Sequence, residues 1–574
     1  PGGRGTVVYL TIGVTGHRDL LADEVPALRE KVRDFFIQLQ GDYPDLELQL
    51  ITPLAEGSDR LVADVALELG CNLIVPLPMS QAEYEKDFSS PEAVEEFRDS
   101  LKKARVIHLR SLKSDQGEKL THQERAQQYA QMGIFISNHS QVLLALWDGK
   151  PSPKAGGTAS VVNYHLTALM PGLSVAEDSP NLLADNENDL VYHIACSRDR
   201  PDGQPREGLS PLQTSWMTAQ FGLESGDNLP IEYQIMWHRL QDYQRDMKKY
   251  GLGIKEGGVN LLESAPDLEL PVGTFDIAYQ HRIADWLAIH FQKRITFGLI
   301  ATHSIAVLVG LIFIVYSEVD GFDFLVDFFL LAFLIGYIIY KIGEHRQWHR
   351  KHLDYRALAE GLRVQFYWSL AGVIDVQSAE FAYDNFLQKQ DVDLGWIRHV
   401  MRNVSLSRSR DNVPQRAWVD WVIEQWVGNE DSETGQLSYY RVKELEKARR
   451  FRRTTLIGRV TLWMGMLTAV VLAIAGTDMA ETHRVALLVL MGVLPLFAGV
   501  RDAYSHKRAE KELIKQYRFM RGILANARRL LDSSDDVDYR RAVLRALGNA
   551  ALEEGAEWLL MHRERPLEHS GIQG

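Results

Sequence analysis

Four apolar runs interrupt an otherwise mixed chain, and they come in two close pairs. Ile295–Ser317 is 23 residues without a charge, enough helix to cross roughly 30 Å of hydrocarbon. Phe324–Tyr340 follows an acidic turn and holds only Asp327. Val460–Thr477 and Val485–Val500 form the second pair, the latter 16 residues long with Pro495 inside it. A buried core helix would explain any one run alone. Two pairs with matched flanks predict two transmembrane hairpins, four helices in all.

The flanking charges orient them. Lys293 and Arg294 precede the first pair, and Lys341, Arg346, Arg350 and Lys351 follow it. Arg449, Arg450, Arg452, Arg453 and Arg459 precede the second, and Arg501, Lys507 and Arg508 follow it. The turns carry Glu318, Asp320 and Asp323, then Asp478 and Glu481, with only Arg484 basic. The positive-inside rule puts both turns outside and both termini in the cytoplasm. Asp323 and Asp327, near an outer helix end, read as solvated interfacial carboxylates rather than an ion path.

Upstream, the pattern changes to short buried-type strands alternating with helices. Val7–Gly16 is a strand running into a small-residue loop. Leu46–Gly70 repeats strand, loop and helix, with Leu61, Val65 and Leu69 on one helical face. Asn72–Met79, Ala104–Arg110, His139–Gly149 and Val191–Arg200 supply further strands, and Gly156–Leu166 opens another helix. This alternation predicts a Rossmann-like α/β domain with a parallel sheet, joined to an all-α membrane domain and a cytoplasmic helical bundle. Residues 171–230, rich in Pro, Gly, Ser, Asp and Asn, read as loops around the sheet. The expected division is 1–200 for the sheet domain, 201–294 for a connector and helical stalk, 295–340 for the first hairpin, 341–459 for cytoplasmic helices, 460–500 for the second hairpin and 501–574 for carboxy-terminal helices. The opening residues read as loop and strand rather than a signal peptide, and the missing initiator Met suggests residues upstream.

Composition narrows the class. The 574 residues are 46% hydrophobic and 24% charged, which is globular rather than disordered. A net charge of −13 argues against a protein that coats a DNA or RNA duplex. Two cysteines, Cys71 and Cys196, fit a reducing compartment.

The candidate chemistry sits in loops after strands, where open α/β sheets bind ligands. Gly13, Thr15, Gly16, His17 and Arg18 form one bare loop, in which Arg18 can hold a phosphate bidentately. Gly156, Gly157 and Thr158 lead into a helix whose free N–H groups favour an anion, with the Thr158 hydroxyl as a further donor. Glu56 and Asp59 can accept from ribose hydroxyls or base amines, although Asp59 also suits a helix N-cap. His17 also suits a turn, and Trp147 a core.

GVTGHRDL, TPLAEGSDRLVADVAL, IVPLPM with Tyr84 and Asp87-Phe88, ALWDG and GGTASVV, in that order, resemble the SLOG superfamily over about residues 5–200. That superfamily comprises Rossmann-like nucleotide-binding domains related to DprA and the Lonely-guy phosphoribohydrolases. The resemblance adds Gly57, Arg60, Pro78, Tyr84, Trp147, Asp148 and Gly149 to the ligand-binding set. It implies a nucleotide-derived ligand, a cyclic oligonucleotide or an NAD-derived molecule, and no other cofactor. The hydrolases carry a glutamate shortly after their glycine-rich turn; here Ala159-Ser160-Val161-Val162 has no acid, which favours binding over hydrolysis.

After each hairpin comes a comparable helix, His352–Trp368 and Lys511–Leu531, with Tyr355-Arg356 and Tyr517-Arg518 at similar distances. Leu513, Tyr517, Met520, Leu524, Ala527 and Leu531 form a seam for another helix. These units resemble the SLATT-type membrane modules that accompany SLOG domains in bacterial conflict systems. Ile231–Gly251 is helical, and Phe275–Arg294 is expected to continue into the first membrane run. His345, His349 and His352 share a helix face, where anchoring to lipid or neighbouring helices is a commoner role than metal binding. Trp418, Trp421 and Trp426 read as helix packing.

A nucleotide-type pocket joined by helices to four membrane segments points to an effector in the bacterial inner membrane, gated by its ligand to breach the bilayer, and the helix seams and hairpins point to a homo-oligomer; the setting in anti-phage defence is what the resemblance implies. A membrane-tethered enzyme cleaving a nucleotide or NAD through Glu56 or Asp59 is the first alternative. A scaffold with a vestigial pocket is the second.

Overall fold

The structure, a computed structural model, describes residues 7–563 except 110–119, 153, 171–188, 220–223, 272, 320, 374–393, 407–415, 432–433 and 478. Asp320, Asp478 and much of the expected 171–230 loop therefore lie outside the described residues. The chain divides into two compact units, residues 1–255, 269–280 and 374–413 in the first and 256–268, 281–373 and 414–574 in the second.

The first unit is an α/β sheet domain. Its elements run β1 (Tyr9–Gly16), α1 (Val25–Asp42), β2 (Glu47–Ile51), α2 (Ser58–Glu68), β3 (Asn72–Leu77), α3 (Gln81–Tyr84), α4 (Pro91–Leu101), β4 (Arg105–His108), α5 (His122–His139), β5 (Val142–Trp147), α6 (Thr158–Thr167), β6 (Val191–Ala195), β7 (Thr214–Thr218), β8 (Glu224–Gly226), α7 (Ile231–Lys249) and α8 (Gly251–Gly257). The sheet order is β4-β3-β2-β1-β5-β6-β7-β8. Pairings from β4 through β6 are parallel, and β7 and β8 add antiparallel. β1 and β5 are almost wholly buried, as expected of central strands covered on both faces. The order of strand addition reverses between these two parallel neighbours: β2, β3 and β4 build out on one side and β6 on the other, so a crevice opens beyond their carboxyl ends.

Two strands correct the loop reading of 171–230. Thr214–Thr218 pairs antiparallel with β6, from Val191 opposite Met217 to Ile194 opposite Thr214. Its alternating Thr, Trp and Met side chains suit a pleated surface, and Trp216 is buried against Tyr192, 4.7 Å between ring centroids.

The second unit is helical: α9 (Thr274–Glu318, whose first turns belong to the first unit), α10 (Leu325–His345), α11 (Trp348–Ala371), α13 (Arg416–Val422), α14 (Gln436–Ala475), α15 (Glu481–Lys507), α16 (Glu510–Asp532) and α17 (Val537–Arg563). Between α11 and α13 the chain contributes α12 (Gly395–Ser405) to the first unit, where Asn403 donates to the Tyr9 carbonyl at 2.7 Å. Nothing in the amphipathic pattern of α12 names the sheet domain as its partner.

Four helices, α9, α10, α14 and α15, are long and apolar enough to cross a membrane. Their most apolar stretches are at most 6% buried, so side chains such as Phe297, Phe333, Trp463 and Leu467 face outward. Water would penalise so much bare apolar surface heavily, and the four helices mark a membrane-associated protein. α9 is one 45-residue helix, as the continuous Phe275–Ser317 pattern predicts. Close approaches use glycine: Gly310 takes Leu496, and Gly465 takes Pro495.

Of the seam on α16, Met520, Leu524, Ala527 and Leu531 are buried, and Leu513 and Tyr517 are half-buried. Trp418 and Trp426 are buried too, and Trp426 stacks on Tyr367 at 5.2 Å. The Trp421 indole donates to the Ser264 carbonyl at 2.9 Å.

Candidate functional site

The loop after β1 is held from three sides. The Ser58 amide and hydroxyl both donate to the His17 carbonyl, at 3.1 and 2.8 Å. The Thr158 hydroxyl donates to the Gly16 carbonyl at 2.9 Å, and the Asp148 amide donates to His17 Nε2 at 3.1 Å. The amino ends of α2 and α6 and the end of β5 therefore converge on residues 16–18. The first intrahelical bonds are donated by the Leu61 amide to the Gly57 carbonyl and by the Val161 amide to the Gly157 carbonyl. The amides of Asp59, Arg60, Thr158, Ala159 and Ser160 consequently have no partner within their own helix, and both helix dipoles add positive potential there.

The glycines permit this approach. Gly57 has φ +81°, and a Cβ there would come within 2.7 Å of the His17 carbonyl oxygen. A Cβ on Gly16 would lie 2.5 Å from Ser58 Oγ. Gly13 packs on Ser140, Gly149 on Leu209 and Gly156 on the backbone at Ala130, while Gly157 caps α6. Their contribution is close packing of the loops.

Arg18 is exposed, its guanidinium 5.8 Å from the centroid of the Tyr129 ring. Asp59 lies beside it in the first turn of α2, only 5% exposed, its carboxylate accepting from the Ala55 amide at 3.3 Å. Burial pushes the Asp59 carboxyl up to about 7, against the opposing pull of Arg18 and Arg60. A carboxyl poised near neutrality beside a guanidinium can donate or accept a proton, or receive a hydrogen bond from a ribose.

On the other side of the loop, the Asp148 carboxylate is 2% exposed. Its Oδ1 accepts from the Lys150 amide at 3.0 Å, and its Oδ2 has no hydrogen-bond partner among the described residues, with Arg200 at 3.6 Å. His17 Nε2 lies 3.1 Å from the Asp148 amide and 3.2 Å from its Oδ1; burial lowers the His17 pKa, with Asp148 pulling it back.

Several expected residues are committed elsewhere. The Tyr84 phenol is fully buried and donates to the Pro53 carbonyl at 3.2 Å. Arg60 binds the Leu54 carbonyl and Glu96, and lies 4.7 Å over the Phe88 ring. Glu56 accepts from both the amide and the hydroxyl of Ser89, each at 2.8 Å. The Trp147 indole donates to the Lys150 carbonyl at 3.1 Å. Pro78 is buried, its carbonyl accepting from Gln128 at 2.7 Å. Thr15 is a buried strand residue. Thr158 spends its hydroxyl on Gly16 rather than on a ligand, which leaves its amide as the donor.

Sequence reasoning missed the wall made by α5. Arg125 donates to Asp87 at 3.0 Å, and the Tyr129 hydroxyl bonds the same carboxylate. The signal was present: Thr121 and Glu124 form a capping box, which fixes Arg125, Gln128 and Tyr129 on one helical face. Away from the sheet, His349 and His352 bond the carbonyls of His562 and Ala288, and no group of metal-ligating side chains occurs among the described residues.

The chain matches no protein-family model, no curated protein and no solved structure, so its functional reading rests on sequence pattern and geometry.

Proposed function

We propose that the chain is a membrane effector whose SLOG-like sheet domain binds a nucleotide-derived anion and thereby gates its membrane helices. The observation that carries this reading is the convergence of two helix amino ends and exposed Arg18 on the tightly held loop 16–18, beyond the reversal of strand order between β1 and β5. Phosphates would sit on the amides of Thr158 and Ala159 with Arg18 closing over them; Asp59 and Tyr129 would meet ribose and base. A cyclic oligonucleotide or an NAD-derived molecule has the required charge and rings.

Membrane action follows from the four apolar helices, placed in the bacterial inner membrane as two hairpins with both termini cytoplasmic. α9 joins the ligand-binding unit to the bilayer without a break, a path along which packing changes could pass. Two hairpins alone enclose no wide passage, so the opening is assigned to a homo-oligomer. The setting in anti-phage defence comes from the SLOG and SLATT resemblance.

The test is a thermal-shift panel of nucleotides, cyclic oligonucleotides and NAD derivatives on the full chain in detergent. The whole chain is needed because α12 belongs to the first unit, and a fragment ending near residue 290 would lack it. One ligand should raise the melting temperature by several degrees, and both Arg18→Glu and Gly157→Asp should abolish the shift. A shift that survives both variants would place the ligand elsewhere.

The raised Asp59 pKa favours a second reading, in which the domain cleaves its ligand with Asp59 as proton donor. Mass spectrometry of the recovered ligand separates the two: the sensor returns it intact, whereas an enzyme returns products, lost in Asp59→Asn.

A further inference from the structure

The two membrane helix pairs and the helices after them share one plan. α10 and α11 are separated by two residues, the second of which, Gln347, is left-handed at φ 50°. α15 and α16 are separated in the same way by Arg508 and Ala509, the latter at φ 47°. Tyr355 lies eight residues after Gln347, and Tyr517 eight after Ala509. Arg356 then pairs with Asp285 on α9, as Arg518 pairs with Glu444 on α14.

This register sets the two copies side by side, and among their differences are two arginines that stand where the first copy has isoleucine. Arg501 lies eight residues before Ala509, where the first copy has Ile339 before Gln347. Arg459 lies fifteen residues after Glu444, where the first copy has Ile300 after Asp285. A hairpin of this plan is thus built with isoleucine at both positions, and the two arginines are extra to it.

Both arginines line a cavity of about 610 Å³ between α14, α15 and the start of α16. One end is polar and mostly basic, with Arg459, Arg501, His506 and Lys511 against Asp502 and Glu512. The other is apolar, with Leu462, Pro495, Ala498 and Gly499. The helices touch where Gly465 meets Pro495, whereas a Cβ on Gly499 would meet nothing within 4 Å. Arg501 is pinned rather than free to swing: its Nη2 donates to the hydroxyls of Thr454 and Thr455 at 2.9 and 2.7 Å, and it lies 5.5 Å from the Phe451 ring centroid. Its Nε is buried without a hydrogen-bond partner among the described residues, a costly state that an added acceptor would relieve.

We propose that this cavity binds the headgroup of one anionic phospholipid. The phosphate would lie between Arg501 and Arg459, and the upper acyl chain would run over Gly499 and Leu462. A cavity that is basic at the polar end of a membrane helix pair and apolar below matches such a molecule in charge and in layering. The site rests on the reading that these helices cross a bilayer, and not on any ligand of the sheet domain.

The test uses the full chain in detergent, titrated with dioctanoyl phosphatidylglycerol, dioctanoyl phosphatidylcholine and inorganic phosphate, with thermal stabilisation as readout. Both lipids carry the phosphate, but the choline ammonium would be held against Arg459, Arg501 and Lys511, so the anionic lipid should bind about tenfold or more tighter than the zwitterionic one. The pair Arg459→Ile and Arg501→Ile, which copies the residues of the first hairpin and so keeps a tolerated packing, should erase that preference. Gly499→Leu should weaken both lipids by blocking the acyl seat without changing charge. Equal affinity for the two lipids, a preference retained in the double isoleucine variant, or phosphate binding as tightly as the lipid would each overturn the site. Sedimentation with phosphatidylglycerol vesicles separates the underlying reading: a chain that pellets without lipid preference refutes only this site, and one that stays in solution refutes both.

Discussion

Asp59 concentrates the physical tension of the crevice. Its side chain is buried by the fold of α2, yet it faces the cationic Arg18, and burial wins, lifting the carboxyl to about 7. The fold therefore favours neutral Asp59. Its contribution to stability is fully present below pH about 4 and is lost as pH rises through about 7, roughly 4 kcal/mol across the range. Glu554 on α17, also lifted to about 7 by burial and then by Glu360, acts in the same direction. Buried His139 and His165, held down to about 4, act oppositely: their share is intact above pH 6.5 and lost as pH falls towards 4. Thermal melts from pH 4 to 8 should show stability falling at both ends, and Asp59→Asn should flatten the alkaline limb. An alkaline limb unchanged in that variant would contradict the burial argument.

At the scale of elements, α16 shows what a sequence can reveal. Its apolar spacing of four and three names a face, and the buried residues on α16 are Met520, Leu524, Ala527 and Leu531 of that seam. Leu524→Ala should cost roughly 2–5 kcal/mol in chemical unfolding, the price of a core cavity. Phe519→Ala on the exposed face of the same helix should change stability by less than about 0.5 kcal/mol. Equal costs at the two positions would show that the seam is not a packed interface. The central strands β1, β2 and β5 were equally legible, because each is a short apolar run ending in a loop with small residues. β7 was hidden in a segment rich in turn formers, where pairing with β6 overrode composition. α12 could not be assigned to the sheet domain because its partners are hundreds of residues away. In the crevice, the loop after β1 and the start of α6 were readable from glycines. The inward turn of Tyr84 and Arg60 depends on tertiary packing that no local pattern encodes, whereas the face of α5 that carries Tyr129 was marked by its capping box.

At the scale of the whole molecule, an α/β sheet domain and a helical unit with four bilayer-length apolar helices share one chain, and α9 spans the boundary between them. On the proposed function, an anion held at loop 16–18 controls what the membrane helices do. The most direct measurement is dye release from liposomes carrying the full chain, with and without the ligand found by thermal shift, for the wild type and Arg18→Glu. The vesicles should stay tight until the ligand is added, release should follow its concentration, and the variant should show no ligand response. Release that ignores the ligand, or a variant that responds like the wild type, would contradict it.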